Sequence, residues 1–385
     1  MKTLPDSPDL GHLRQQAKDL LAGLRDSDPT TSLATAQKAL AEQYGFRGWP
    51  DLKAEVDHLR GSAAVADPAL ASALADAYDL GTVTGEMRSV ARADESGRRW
   101  SLTTDRGRWL VRTMDTWWPI VDVETEVTLQ EAAAAAGVPL PTPVRGRSGD
   151  IVATVGDHPW RVYEWLHSGP PMSAPASATV THEMGRILAT LHGLALPVDR
   201  VSPWHRHHLS DVGWPELVAA ARDRFPELTE AAPVLAALET VGADAPIPAP
   251  VLSHNALGPG MVRRANGRLI VFGWEHAGGQ PPSWELGNAL MDWTVDRGRG
   301  VNIAGARALV EGYRETAGSL PALDLAMFRG AVTSLANYVS GQIEYALAAD
   351  GEDRRYADRS VRHLLTHLPT LADLERLLDV AVTVA

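Results

Sequence analysis

Four side chains in the last third of the chain, Glu275, His276, Glu285 and Asp292, are of the types that give and take protons near neutrality. Two of them on facing elements would make a general acid and base. Trp204-His205-Arg206-His207-His208 places three imidazoles within four residues, donors that suit zinc or nickel. No fourth ligand follows at a useful spacing, so the segment reads as a solvated loop and no metal site is expected. The sequence contains no cysteine, which excludes disulfides, thiolate zinc sites and a cysteine nucleophile. It has 12 Trp against 4 Phe. Indole joins a broad apolar face to one N–H donor and suits planar or sugar-like ligands. The Trp117-Trp118 pair beside a turn therefore reads as exposed binding surface. Gly81-Thr-Val-Thr-Gly85 lacks the spacing of a phosphate-cradling loop.

The elements that must position these residues follow from periodicity. Leu10, Leu13, Ala17, Leu20, Leu21 and Leu24 share one helical face, and Asp-Ser-Asp-Pro at 26–29 ends it. A second helix carries Leu33, Ala36 and Leu40, and Trp49-Pro50 opens a third with Leu52, Val56 and Leu59. Residues 1–62 thus form a three-helix cap anchored by Phe46 and Trp49, and the Gly/Ser/Ala-rich stretch 63–77 reads as a linker. Residues 98–103 and 108–114 are strand-like around a Thr-Asp-Arg-Gly turn, a helix runs from about 122 to 136, and strands recur near 151–155 and 160–166. Beyond Gly169 the chain is mostly helical, at 180–194, 284–296, 303–317, 322–349 and 358–380, interrupted by a short β section at 251–273. The expected fold is α+β and bilobal: a β-rich lobe over 78–167, a helical lobe over 168–385, and a ligand cleft between them.

Among 385 residues, 45% are apolar and 22% charged, which supplies a real core for two or three folded units. The formal charge of -12 argues against nucleic-acid partners and against an anionic membrane surface. No run is long and apolar enough to span a bilayer, and Met1–Leu10 lacks the pattern of a secretory signal, so a cytoplasmic protein is expected.

The segment VLSHNALGPGMVRRANGRLIVFGWEHAGG at 251–279 resembles the aminoglycoside phosphotransferase and choline kinase family. That family reads His-x-Asp, then Leu-x-Pro-Gly-Asn, then a strand ending in Asp-Trp-Glu. His254, Leu257, Pro259, Gly260, Trp274 and Glu275 match. Upstream, Trp109-Leu110-Val111-Arg112 is similar to the family's third strand. Glu126, ahead of Val138-Pro139-Leu140-Pro141, sits where its helix Glu stands. Val162-Tyr163-Glu164-Trp165-Leu166 resembles the hinge, and Leu191-His192 the end of the next helix. The resemblance covers about residues 78–385 and implies a protein-kinase-like fold with Arg112 and Glu126 as a lobe-bridging ion pair. The cap is similar to a short helical unit found ahead of various other proteins, with no activity implied.

Three positions depart from the family. The loop Asp is Ala256, the loop Asn is Met261 and the metal-binding Asp is Gly273; none can take a hydroxyl proton or ligate a hard cation. Ordinary kinase activity is therefore not expected. The leading expectation is a pseudokinase-like protein, leaning away from an enzyme, that captures an antibiotic, natural product or metabolite in the cleft without phosphorylating it. No cofactor and no metal are expected. Its ligand would meet Arg112, Trp117, Trp118, Glu126, Trp165, His254, Asn255, Trp274, Glu275 and Glu285. Alternatives are an enzyme with new chemistry in the same cleft and an interaction module whose N-terminal helices dock a protein partner. Of these residues His254 reads as support for its loop, Asn255 as a turn residue, and Glu275 as a partner for backbone or an arginine.

Overall fold

Asp9 opens the first helix by accepting from the His12 N–H, which satisfies a donor that a helix start leaves unpaired. Helix α1 (Leu10–Ser27) buries Leu13, Ala17, Leu20 and Leu24. Against that stripe pack α2 (Leu33–Gln43), capped by Ser32, and α3 (Trp49–His58), with Phe46 and Trp49 at the margin. The computed structural model describes all residues except 1, 3, 6, 7, 60–62, 95, 96, 115–119 and 297–299.

This cap docks on the strap that joins the two lobes. Lys2 Nζ donates to Met172 O at 2.9 Å, Gln16 Nε2 to Pro171 O at 2.7 Å and Gln43 Nε2 to Ala174 O at 2.8 Å. Gly23 lies directly on the strap, where a β-carbon would come 2.0 Å from Pro175 O. Gly23→Ala is expected to push cap and strap apart at a cost of about 1–3 kcal/mol, the usual penalty of overpacking. A lower melting temperature would show it, and an unchanged one would mean that the cap does not hold there.

Residues 64–66 pair with the first strand and are followed by α4 (Pro68–Ala77), so the segment expected as a linker is part of the sheet lobe. Its composition misled because Ala is the best helix former, and Asp67-Pro68 is a helix start rather than a break. A six-stranded sheet follows, ordered β1 (Arg88–Asp94), β2 (Gly97–Thr104), β3 (Gly107–Thr113), β6 (His158–Glu164), β4 (Pro143–Val144), with β5 (Ala153–Val155) beside β6. Its outer face sets Trp100, Leu102, Val111, Trp160 and Val162 against α4 and Tyr78. Alternation turns the neighbouring residues to the inner face, beside α5 (Val123–Ala135), which Asp122 caps.

The helical lobe begins with α6 (Ala178–Gly193), then α7 (Pro203–Arg206), α8 (Trp214–Ala221) and α9 (Leu228–Glu239). A β section follows: β7 (Val251–Ser253), the hairpin β8 (Val262–Ala265) and β9 (Arg268–Val271), and β10 (Gly278–Gln280) paired with β7. The β8–β9 turn is Asn266-Gly267, both with positive φ, the pair a tight hairpin requires. Then come α10 (Pro282–Thr294), the short pair β11 (Val295–Asp296) and β12 (Gly300–Val301), α11 (Ile303–Ala317), α12 (Arg329–Ala348), α13 (Gly351–Leu365) and α14 (Leu371–Val384). The helix expected over 358–380 is thus two, split at a new capping box on Thr370. Trp284, Trp293, Phe225 and Phe328 fill the core. The 204–208 segment is not a solvated loop: His205 is buried, its ring nitrogens on Gly330 O and Asn255 O. No helix among the described residues is long and apolar enough to cross a membrane.

Candidate active site

The loop after β7 is shaped by a buried carboxylate. Glu285, in the first turn of α10, accepts from Asn255 N–H and His192 Nε2, each at 2.8 Å, and from Ser253 Oγ. His192 Nδ1 in turn meets Tyr313 Oη at 2.9 Å. Burial pushes the Glu285 carboxyl up, but His192 and Ser253 overcome it and hold it below the ordinary range. All of this carboxylate's printed partners lie in α6, β7 and the loop, so Glu285 acts as a strut. It pulls Asn255 into a left-handed turn at φ 64, a conformation that Asn tolerates better than most residues. The Asn255 amide donates to His276 O at 3.2 Å, while its Oδ1 is buried without a partner.

His254 is structural, as its sequence context indicates. Its Nε2 meets Phe272 O at 2.8 Å, Nδ1 accepts from Ala256 N–H at 3.3 Å, and the ring packs edge-on against Trp274. Burial pulls its pKa from 6.5 down to about 4. The unfolded imidazole takes up a proton near 6.5 and the folded one near 4, so in that window the unfolded state binds the extra proton and stability falls with pH. At about 1.4 kcal/mol per unit, the loss by pH 4 is about 3 kcal/mol. His205, also pulled down by burial, adds in the same direction. Urea unfolding between pH 7 and 4 should show the decline, and His254→Gln should flatten it in part.

Met261 and Gly273 face each other. Gly273 has φ 80, and a β-carbon on it would sit 2.6 Å from Met261 Sδ, so the thioether fills the space a side chain at 273 would need. Neither residue offers an oxygen, and magnesium demands oxygen ligands in near-octahedral array. Among the described residues no group of three or more His, Cys, Asp or Glu could hold a metal ion. Magnesium therefore does not fit this pair of positions. Trp274 is buried and donates to Val271 O at 2.9 Å, which makes it a core residue rather than the ligand contact expected of it. On α10, half-buried Asp292 abuts the loop: a β-carbon on Gly258 would lie 3.2 Å from its Oδ2.

The inner face of the sheet supplies charge. Glu126 does not pair with Arg112 as expected. It takes Arg161 of β6 in a two-toothed contact, 2.7 and 3.0 Å, both side chains buried. Arg112 instead reaches the helical lobe and pairs with Glu275 at 2.8 Å, also buried. The reason is register: β3 and β6 are neighbours with Arg112 opposite Arg161, and α5 presents Glu126 to the latter. Burial pushes the Glu275 carboxyl up, yet Arg112, His276 and Arg99 hold it far below the carboxylate range. At the hinge, Trp165 carries the Arg108 guanidinium stacked 3.8 Å from its ring centre, and its indole N–H is buried without a partner. Trp117 and Trp118 lie outside the described residues. Arg161 and Arg99 were missed by sequence reasoning. Only their alternation with apolar strand residues marks them, and that becomes legible once the pairing of the strands is known.

A twisted antiparallel sheet with one helix on its inner face, strapped to a helical lobe whose loop and hairpin face that sheet, is the protein-kinase-like arrangement. The phosphotransferase enzyme family matches residues 88–318, more than half of the chain, and the chain belongs to that family. It is 28% identical over 253 residues to the homoserine kinase of Granulibacter bethesdensis, covering 65% of this chain and 77% of that one. Its fold is shared with a spectinomycin phosphotransferase solved with ADP and spectinomycin, at TM-score 0.54 and 12% identity over 78% of this chain and 93% of that one. A microcompartment-associated aminopropanol kinase is likewise similar, at TM-score 0.51 and 18% identity over 77% and 95%.

These relatives overturn the expectation of a pseudokinase that binds without phosphorylating, and with it the leaning away from an enzyme and the alternatives of new chemistry or a docking module. The physical error lay in equating three positions with the whole reaction. Phosphoryl transfer asks for positioning and charge stabilisation rather than covalent chemistry, and neighbouring side chains can supply both.

Proposed function

We propose that this protein is a small-molecule kinase that moves the terminal phosphoryl group of a nucleoside triphosphate onto the hydroxyl of a compact, amine-bearing acceptor. The observation that carries this reading is the similarity to a homoserine kinase across 65% of the chain, on a fold whose loop and arginines face one cleft. Homoserine and aminopropanol, named for a relative and a structural neighbour, both join an amine to a hydroxyl. A net charge of -12 suits a cationic acceptor of that kind.

In the reaction, the bond from the terminal phosphorus to the bridging oxygen breaks, and a bond from phosphorus to the acceptor oxygen forms. The nucleoside diphosphate leaves with the electron pair, and the hydroxyl proton passes to a carboxylate. Ala256 cannot take that proton; Asp292, next along the loop at Gly258, is the acidic side chain placed for it. Asn255, with its buried and unpartnered Oδ1, and Trp165, with its unpartnered N–H, are candidate contacts for the acceptor and the nucleotide base respectively. The triphosphate donor is a cytoplasmic metabolite, and the cytoplasm is the proposed place of action.

The test is a coupled assay of nucleoside diphosphate release with homoserine, aminopropanol and related amino alcohols, with and without acceptor, and with mass spectrometry of the product. Acceptor-dependent release and a phosphorylated product are expected. Release that no acceptor accelerates would overturn the reading.

A further inference from the structure

Three neighbouring strands carry an arginine row on the inner face of the sheet. Arg99 on β2 stands opposite Arg112 on β3, and Arg112 opposite Arg161 on β6. Cross-strand neighbours lie about 5 Å apart at Cβ, and like charges there repel. Two carboxylates offset the row, Glu126 on Arg161 and Glu275 on Arg112. On the helical lobe, Arg263 of β8 stacks on Phe272, its guanidinium carbon 4.9 Å from the ring centre, and makes no ion pair among the described residues. Burial and the charge of Arg99 pull Arg263 down to about 10, which places the two guanidiniums within each other's field. Four guanidiniums thus face two carboxylates in a chain whose net charge is -12. Concentrating cations that way is costly unless an anion offsets them, and a planar guanidinium fork matches phosphate oxygens in pairs.

The positions where the family's magnesium would be held, meanwhile, are filled by a thioether against a glycine. We propose that the cluster binds the polyphosphate of a nucleoside triphosphate without a divalent metal, Arg99 and Arg263 supplying the neutralising charge. The inference rests on the phosphotransferase reading for the identity of the anion. Fixed cations aimed at the transferring group stabilise the charge that develops on its oxygens, the role the metal plays in related chemistry.

Calorimetric titration of ATP, ADP and inorganic tripolyphosphate into the intact protein, in excess EDTA and in excess magnesium, tests this. All three are expected to bind in EDTA, with no tightening by magnesium. Arg99→Met and Arg263→Met should each weaken binding by roughly tenfold or more, the loss of one charge-assisted contact. Arg99→Lys and Arg263→Lys, which keep the charge without the fork, should recover part of it. Binding seen only with magnesium, or binding in EDTA that neither Met variant weakens, would overturn the proposal. Polyphosphate bound in EDTA with no acceptor phosphorylated would leave this site standing and remove the kinase reading. Acceptor phosphorylated only with magnesium would do the reverse.

Discussion

Asp292→Asn is expected to lower kcat by about 10²–10⁴, the usual contribution of a positioned proton acceptor, while KM and the melting temperature stay close to those of the parent. The argument is positional. Glu285 is fully engaged as the strut of the loop, Glu275 is held by Arg112, and His254 has both ring nitrogens committed and stays neutral above about pH 4. Asp292 is the acidic group that α10 sets against the loop itself, and it is half-buried rather than sealed. Asn keeps the shape and removes the basicity, so packing on Gly258 should survive. Steady-state kinetics with the acceptor identified above would check it. An unchanged kcat would assign proton removal to another group, and a parallel rise in KM would make Asp292 a binding residue instead.

The second large effect concerns stability. Glu126→Ala should cost about 3–5 kcal/mol in urea unfolding, because it strands Arg161, which is fully buried, beside a second buried arginine. Replacing both partners, Glu126→Leu with Arg161→Met, should cost far less, since the apolar pair carries no desolvation penalty. The contrast between single and double variants is the informative quantity. Equal losses in both would show that the side chains matter for packing rather than charge.

The lobe order, the β2–β3 hairpin and α5 were legible because local signals agree there: alternation on the strands, Asp122 ahead of the helix and Gly137 after it. Loop, hairpin and turn at 251–279 were legible because His254, Pro259, Gly260 and Trp274 each hold the backbone in a fixed shape. What failed was of two kinds. Helix α4 was hidden by a composition shared by linkers and helices. The partners of Arg112 and Glu126 were hidden because pairing depends on strand register and on which lobe reaches across, neither of which is written within one segment. The functional expectation failed for a related reason. Residue types at three family positions speak to those positions, while charge brought in from β2, β6 and β8 becomes visible only when the strands are assembled.

The contact between Met261 and Gly273 has a consequence for how this sequence came about. A side chain placed at 273 collides with the methionine, and a methionine cut back beside glycine leaves a void. Each change alone is unfavourable, and the two become tolerable only together. The residues are therefore coupled in descent: a lineage crossing between the oxygen-bearing pair and this one passes through an intermediate less stable than either end. Reversal by one substitution is blocked, so the present pair acts as a ratchet.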